Sequence, residues 1–307
     1  MSDPFIELRL WRQFTAVAEE LHFGRAAQRL HMTQPPLTQA IAQLEKLLGV
    51  RLFDRTKRSV QLTAAGAALL PEARELLSRA QALPGQARAA AAGELGRLRL
   101  AFVSTVGFDL LPQWVRAFRA RHPRMELDLR EATGDQQLQM FERGEIDAGF
   151  MLHSPGFAPA GLAHLPIARE PLVLALPAHH ALAGAAALAL DRVLAEPLVI
   201  FPRRIVPSLY DAIFALYHAA GHSPRVAQEA IQMQTIVNLV SAGLGVAWVP
   251  ASVMQFQRPG VVYRSVAGRR KLPACETSLA WPLPLRSPSL GNFIAFARQA
   301  AAGAAPV

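Results

Sequence analysis

Apolar residues recur at three- and four-residue steps along the first fifty positions, which is the period of an amphipathic helix. The first run predicts a helix whose apolar face carries Leu8, Trp11, Phe14, Val17, Ala18 and Leu21. The second run predicts a short helix with Phe23, Ala26, Ala27 and Leu30. We expect a third helix between Thr33, a candidate N-cap, and Gly49, a typical C-terminal stop. Its apolar face carries Leu37, Ile41, Leu44 and Leu48.

The opposite face of this third helix is polar. It carries Gln39, Ala42, Gln43 and Lys46, with Pro35 above them and Gln34 and Thr38 alongside. Such a face can enter the major groove of DNA, where a glutamine amide pairs with adenine through two hydrogen bonds. An ordinary solvated helix face has the same composition. The context favours DNA, because the second helix, a tight link at 31–32 and the third helix match a helix-turn-helix in length.

Two short alternating segments follow the third helix. Residues 50–53 and 60–62 alternate in polarity and flank the basic, polar tip 54–59. This pattern predicts a β-hairpin wing whose tip residues Lys57 and Arg58 meet phosphate or the minor groove.

A helical linker comes next. Thr63 can cap a helix with an apolar stripe that consists of Leu69, Leu70, Ala73, Leu76, Leu77 and Ala80. Pro71 can kink this helix, and Pro84 with Gly85 is a stronger break, so we expect the helix to end there. The stripe fits a partner helix of a second copy, and it fits packing on the chain's own second domain as well. Residues 93–96 indicate a hinge.

The remaining two thirds of the chain alternate between strand and helix patterns. Strands are predicted at 98–103, 126–130, 146–151, 172–176, 198–201, 226–228, 246–249 and 278–281, and helices lie between most of them. This alternation is typical of an open α/β sheet with parallel strands.

Charge and composition sharpen this interpretation. The chain of 307 residues carries a net charge of +9, and residues 25–58 hold seven basic residues against two acidic ones. This excess favours a polyanionic partner, either a nucleic acid or an acidic membrane. The residues at the start mix charges into the apolar positions, and the longest apolar runs are too short to span a bilayer. A single cysteine, Cys275, fits a reducing compartment. We therefore expect a soluble, cytoplasmic protein.

Motifs of enzymes do not appear. The chain has no HExxH, no phosphate-binding loop, no GxGxxG after a strand and no GxSxG. The pair His179 and His180 fits a turn better than a metal site. We therefore predict no enzymatic activity, no cofactor and no metal. A solute-binding transport protein would not need the basic N-terminal segment. The alternatives that stay open are a ligand-independent repressor or an architectural DNA protein, whose second domain would bind no effector, and a second domain that binds a metabolite other than a carboxylate.

The stretch FGRAAQRLHMTQPPLTQAIAQLEKLLGVRLFDRTKRSVQLTAAG (23–66) resembles the winged helix-turn-helix of LysR-type transcriptional regulators. The phrases FERGEIDAGF (141–150) and IVNLVSAGLGVAWVP (236–250) resemble the two lobes of the effector domain of that family. The resemblance implies an α+β, two-domain protein: a winged helix-turn-helix (1–65), a linker and dimerisation helix (66–92) and an effector domain (93–307) built like a periplasmic binding protein. Lobe one would hold about 93–168 and 269–307, and lobe two about 169–268.

The same resemblance implies particular partners and contacts. Double-stranded DNA would be read by Thr33, Gln34, Pro35, Pro36, Thr38 and Gln39. Arg55 and Arg58 would contact the DNA backbone or the minor groove. A homodimer or homotetramer would bind a roughly palindromic site and affect RNA polymerase indirectly, and no membrane would take part.

Ligands of open α/β sheets bind beyond the carboxyl ends of the strands. The candidates there are Ser104, Thr105, Thr133, Phe201, Pro202, Arg203, Arg204 and Val246, with His153 as a weaker one. Hydroxyls ahead of helices and arginines at a cleft favour a small anion, and the apolar neighbours favour an aromatic or unsaturated carboxylate. The hydroxyls also fit plain helix caps, and the arginines fit a solvated surface pair.

Overall fold

The computed structural model describes residues 5–56, 59–266, 272–285 and 287–303. The chain divides into two compact units, Met1–Arg88 and Ala89–Val307. Within the described residues, no helix is both long enough and apolar enough to cross a lipid bilayer.

The first unit is a winged helix-turn-helix. Its elements are α1 (Leu8–Glu20), α2 (Phe23–Arg29), α3 (Gln34–Leu48), β1 (Phe53–Arg55), β2 (Val60–Leu62) and α4 (Ala64–Ala91). The strands β1 and β2 form the predicted antiparallel hairpin, in which Phe53 is opposite Leu62. The first strand begins three residues later than the alternation suggested, because residues 51–52 lead from α3 into the sheet.

The predicted apolar face of α3 forms the centre of the core. Leu37, Ile41 and Leu44 are completely buried, as are Phe14 of α1 and Phe53 of β1. The rings of Phe14 and Phe53 lie 5.6 Å apart and lock the wing onto the first helix. Gly49 ends α3 in a left-handed conformation with φ of 69°. Thr33 occupies the N-cap position as expected, although its side chain makes no capping hydrogen bond.

The linker helix α4 corrects an expectation. It continues through Pro71, Pro84 and Gly85 to Ala91, so the predicted break at Pro84 is wrong. Each proline lacks one N–H donor and leaves one carbonyl without its helical partner. Most residues around Pro84 are exposed, where water can satisfy that carbonyl, and the neighbouring alanines favour the helix. The capping prediction is confirmed, because the Thr63 hydroxyl accepts a hydrogen bond from the Gly66 amide at 3.0 Å.

The second unit contains nine strands and six helices within its described residues. The strands are β3 (Gly96–Phe102), β4 (Met125–Glu131), β5 (Ala148–His153), β6 (Ala163–Pro177), β7 (Leu198–Ile200), β8 (Val226–Glu229), β9 (Ala247–Pro250), β10 (Val261–Arg264) and β11 (Ala274–Trp281). The helices are α5 (Leu110–Arg121), α6 (Gly134–Glu142), α7 (Leu190–Leu194), α8 (Pro207–Ala219), α9 (Met233–Ser241) and α10 (Pro288–Gly303).

These strands build two sheets that share one long strand. Lobe one has the strand order β4-β3-β5-β11-β6, and lobe two pairs the later part of β6 with β9 and β10. The short pair β7-β8 joins lobe two through a bridge between Leu198 and Val246. The strand β6 changes partners between Pro171 and Leu172.

The prediction of parallel strands holds only in part. The pairs β3-β4, β3-β5 and β7-β8 are parallel, whereas β11 and every partner of β6 run antiparallel to their neighbours. The chain passes between the lobes along β6 and returns along β11, so the two crossing segments must run in opposite directions. The pattern also missed the first half of β6, because its residues alternate between half-buried and exposed positions.

Candidate functional site

The first candidate surface is the polar face of α3. Most of the residues expected to read DNA are exposed, namely Thr33, Gln34, Pro35, Pro36 and Gln39. Thr38 is half-buried, and its hydroxyl donates to the Gln34 carbonyl at 3.1 Å. Lys46 is exposed as well, on the same side as Gln39. The helix therefore presents amides, hydroxyls and a cation to solvent while its apolar side is buried.

The wing is fastened to α3 by Glu45. Its carboxylate accepts hydrogen bonds from the amides of Leu52 at 2.9 Å and Phe53 at 3.1 Å. The Arg55 guanidinium pairs with the same carboxylate at 3.1 Å and lies 4.6 Å from the centre of the Phe23 ring. Arg55 is thus partly occupied in holding the hairpin, which sequence reasoning did not foresee. Arg58, like Lys57, lies outside the described residues.

Three of the predicted DNA contacts meet at one groove. Gln34, Thr38 and Arg55 line a depression of about 370 Å³ between the start of α2, the start of α3 and the wing. Thr56 and Ser59 of the wing form its other wall. A groove of this kind, rimmed by polar groups at the start of a long helix, suits contact with a phosphate backbone.

Several arginines of this unit are engaged in internal ion pairs. Glu19 pairs with Arg29 at 2.7 Å and with Arg74 at 2.9 Å, which ties α1 to α2 and α4. Burial opposes ionisation of Glu19, but the hydrogen bonds from both arginines outweigh it and lower the pKa of its carboxyl. Lys46 and Arg51 form no ion pair within the described residues, so their charges are available to a polyanion.

The second candidate site is a pocket between the two lobes. Lobe one contributes Val103, Ser104, Thr105, Ala132, Thr133 and Leu152, and lobe two contributes Phe201, Ile205, Val206, Ile231, Gln232 and Met233. The structure therefore brings together four of the predicted ligand residues: Ser104, Thr105, Thr133 and Phe201. The cavity is small, about 40 Å³, and the lobes touch beside it. A side chain at Gly134 would lie 3.0 Å from the Ile205 carbonyl oxygen.

One fully buried polar atom of the pocket has no hydrogen-bond partner within the described residues. Thr105 is only 5% exposed, and its hydroxyl makes no hydrogen bond within the described residues. Burying a hydroxyl without a partner costs free energy, so a ligand that completes this bond gains affinity. Thr133 differs, because its hydroxyl donates to the Asp135 carboxylate and its amide donates to the Gln136 side chain at 3.2 Å.

Four of the predicted ligand residues do not line the pocket. Pro202 is buried and does not line the pocket, although it follows Phe201 in the chain. Val246 is completely buried in the core beside Leu198. Arg203 turns to Asp211, with both N–O distances at 2.7 Å, and this hydrogen bonding lowers the pKa of the Asp211 carboxyl. Arg204 lies 3.8 Å from Asp135. No ionisable side chain lines the pocket among the described residues.

Sequence reasoning missed eight of the twelve lining residues. Ile231, Gln232 and Met233 stand between β8 and the start of α9, where the same rule about strand ends applies. Applying that rule to every strand-to-helix connection would have found them. Ile205 and Val206 precede α8 and had no polar side chain to draw attention.

Other reactive groups are shielded. Cys275 is completely buried, and burial together with the nearby Glu170 raises the pKa of its thiol well above the ordinary value. His153 is buried too, with its ring nitrogens 2.8 Å from the Ser154 carbonyl and 3.0 Å from the Ser278 hydroxyl. Within the described part of the chain, no cluster of three or more His, Cys, Asp or Glu residues could hold a metal ion.

A winged helix-turn-helix in one unit and a two-lobed domain with a pocket in the other define a DNA-binding regulator with an effector domain. Comparison with known proteins gives the family. Residues 8–67 match the model of the bacterial regulatory helix-turn-helix proteins of the lysR family, and residues 91–302 match the LysR substrate binding domain. The chain belongs to the LysR family of transcriptional regulators, which are not enzymes.

Relatives align along nearly the whole chain. The HTH-type transcriptional regulator IlvR of Caulobacter vibrioides is 44% identical over 291 residues, which cover 94% of this chain and 96% of IlvR. AlsR of Bacillus subtilis is 37% identical, and the match covers 94% of each chain. Full-length CbnR, solved with its target DNA, has a TM-score of 0.78 at 32% identity and covers 96% of this chain and 100% of CbnR.

Proposed function

We propose that this LysR-family regulator reads duplex bases with the start of α3, and that a small ligand between its lobes alters its grip on DNA. The observation that carries the first part is the division of α3 into a fully buried apolar face and an exposed polar face. The protein would bind DNA in the cytoplasm, where bacterial DNA lies.

The residues of α3 divide by the contact they would make. Gln34 and Gln39 offer amides that can pair with the edge of an adenine, whereas Lys46 offers a point charge that suits a phosphate. Pro35 and Pro36 would approach the bases through apolar contact. Thr33, Thr38 and Arg55 would position the helix against the backbone, and Arg58 would add to this from the wing.

Selection from a random duplex library, followed by binding titrations at several salt concentrations, tests this division. Gln39→Ala should relax preference at one base pair by about 1–3 kcal/mol and leave the salt dependence unchanged. Lys46→Gln should keep the selected sequence and reduce the slope of log K against log salt by about 0.9. Each variant is the control for the other. Equal effects of both variants on sequence preference would contradict the proposal.

The ligand would be a small molecule with a polar end and an apolar body. Ser104 and Thr105 would donate to the polar end, and Phe201, Ile205 and Val206 would enclose the body. A carboxylate is our first candidate, because hydroxyls and the amides at a helix start can hold an anion without an arginine. The neutral lining of the pocket supports an uncharged metabolite as the second candidate.

Calorimetric titration of the full chain separates these two candidates. Benzoate and crotonate represent aromatic and unsaturated carboxylates, and benzamide and crotonamide have nearly the same shape without the charge. Tighter binding of the acids supports an anionic ligand, whereas tighter binding of the amides supports the uncharged one. Absence of binding by a wide panel of both kinds would rule out a pocket for ligands of this size.

The linker helix would pair with its copy in a dimer, and two dimers would form a tetramer on two DNA sites. Leu76 and Leu83 are exposed, with 42% and 60% of their surface free, and Ala80 lies between them at heptad spacing. Leu76→Glu should lower the molar mass of the oligomer measured by light scattering. Ser78→Glu, on another side of the helix, should leave that mass unchanged. Assembly would set the spacing of half-sites and so affect RNA polymerase indirectly.

A further inference from the structure

The carboxylate of Asp135 binds two polar side chains at the edge of the pocket, those of Thr133 and Arg204. Asp135 lies in the first turn of α6, in lobe one. One of its oxygens accepts the hydroxyl proton of Thr133, which lines the pocket. The other lies 3.8 Å from the Arg204 guanidinium, which follows β7 in lobe two. Asp135 therefore spans the two lobes at the edge of the site.

The neighbouring arginine provides an internal comparison. Arg203 binds Asp211 through two hydrogen bonds of 2.7 Å, and both residues belong to lobe two. Arg204 has only the longer contact to Asp135, although both arginine side chains are equally exposed. Arg203 is thus held within one lobe by two short hydrogen bonds, whereas Arg204 is held across the lobes by a single longer contact.

We propose that Asp135 determines the charge selectivity of the effector pocket, because its carboxylate competes with an acidic ligand for the Thr133 hydroxyl, which lines the pocket, and repels the negative charge of that ligand. This inference rests on the proposed function, in which the pocket binds a small effector. An acidic effector would take over the Thr133 hydroxyl, and its charge would weaken the hold of Asp135 on the contact between the lobes at this edge.

The competition follows from the number of donors. A threonine hydroxyl has a single proton, so Thr133 can donate to Asp135 or to the ligand but not to both. Two carboxylates that share one site also repel each other. Removing one negative charge a few ångströms from a bound anion should tighten binding by about tenfold in a partly solvated site. An uncharged ligand of the same shape should gain nothing.

Asp135→Asn in the full chain tests the inference, since asparagine keeps one oxygen that can accept from Thr133, loses the negative charge and replaces the other oxygen with an amide NH2 group. Asp211→Asn is the matched control, because it removes an aspartate from an arginine pair in the same domain away from the pocket. The probes are benzoate and benzamide, titrated by calorimetry into all three proteins. We expect benzoate to bind about tenfold tighter to Asp135→Asn than to the other two, and benzamide to bind all three equally.

Unequal outcomes separate the inference from the proposed function. Equal benzoate affinity in the three proteins overturns the role of Asp135, while the pocket stays a ligand site. Binding of benzamide without any binding of benzoate to Asp135→Asn also overturns it and leaves an uncharged effector. If neither probe binds any of the proteins, both the inference and the ligand pocket fail for compounds of this size.

A second variant guards against a change in folding. Asp135 lies near the positive end of the α6 dipole, so its loss can weaken the helix. Asp135→Glu keeps the charge, and its benzoate affinity should remain within about twofold of the parent chain if charge is the cause. A tenfold gain in this variant as well would show that loosening of α6, not charge, changes binding, and would overturn the inference.

Discussion

The two functional regions are built in opposite ways. The surface of the first unit that we propose to bind DNA consists mainly of one continuous segment, Gln34–Leu48, whose buried and exposed faces alternate with the helical period. The pocket of the second unit is assembled from short segments between Val103 and Met233 that meet only after two sheets have formed. The α3 surface depends on a closely packed apolar core behind it. The pocket contains a buried hydroxyl, that of Thr105, that has no hydrogen-bond partner within the described residues.

This difference predicts how each region responds to substitution. In the first unit, stability and function should fall together, because the same helix carries the core and the reading face. In the second, stability and binding should move in opposite directions, because a pocket for a ligand leaves polar groups unpaired until the ligand arrives.

The largest effect is expected for Ile41→Ala in α3. Ile41 is completely buried, so its truncation should lower the free energy of unfolding of the first unit by about 2–5 kcal/mol. DNA affinity should fall at temperatures where that unit begins to unfold. Urea unfolding followed by circular dichroism measures the change, with Gln43→Ala on the exposed side as the control. A loss of less than about 1 kcal/mol would mean that α3 does not anchor the reading surface.

A smaller change of opposite sign is expected for Thr105→Val in the pocket. The substitution removes a buried hydroxyl that has no partner in the described part of the chain, so the ligand-free protein should gain about 1 kcal/mol in stability. Affinity for benzoate should fall about tenfold if the hydroxyl donates to the ligand. Thermal unfolding and calorimetry give the two values.

Thr133→Val is the comparison for this prediction. Its hydroxyl already donates to Asp135, so the same chemical change should lower stability. Equal destabilisation by both variants would contradict the distinction between a satisfied and an unsatisfied pocket hydroxyl.

The smallest effect is expected for Glu170→Gln on the strand shared by the lobes. Burial raises the pKa of Glu170 above 4.5, although hydrogen bonds from the Ser252 amide and hydroxyl oppose the shift. A raised folded pKa favours the protonated form, so the contribution to stability is complete below pH 4.5 and is lost as pH rises through the folded pKa. The parent chain should therefore lose stability relative to Glu170→Gln as the pH rises above 4.5.

Urea midpoints at several pH values test this, and the transition of the first unit serves as an internal reference. A difference between the two proteins that does not change with pH would show that Glu170 has an ordinary pKa.

The sequence predicted the helices of the first region and the buried and exposed faces of α3, and it predicted the lining of the pocket only in part. The faces of α3 were readable because a helix places residues three and four apart on one side. The arginines Arg203 and Arg204 were assigned to the pocket because type and position alone cannot show that Asp211 and Asp135 lie within reach. The break at Pro84 was wrong because a local preference of one residue yields to a long run of helix-forming neighbours.

The lining of the pocket followed a rule rather than a motif. Ser104, Thr105, Thr133 and Phe201 were found because each follows a strand, and Gln232 was missed although it follows β8. The antiparallel partners of β6 could not be derived, since strand direction depends on how the chain crosses between two sheets. Local periodicity contains no information about that crossing.

The change of partners within β6 makes this strand a suitable place to measure whether the proposed effector moves the lobes. Any rotation of one half of the domain against the other must bend the backbone where β11 gives way to β9, between Pro171 and Leu172. The amide of Leu172 donates across this junction to the Pro273 carbonyl at 3.3 Å. Deuterium uptake at this amide should therefore respond to closure, although the residue itself touches no ligand.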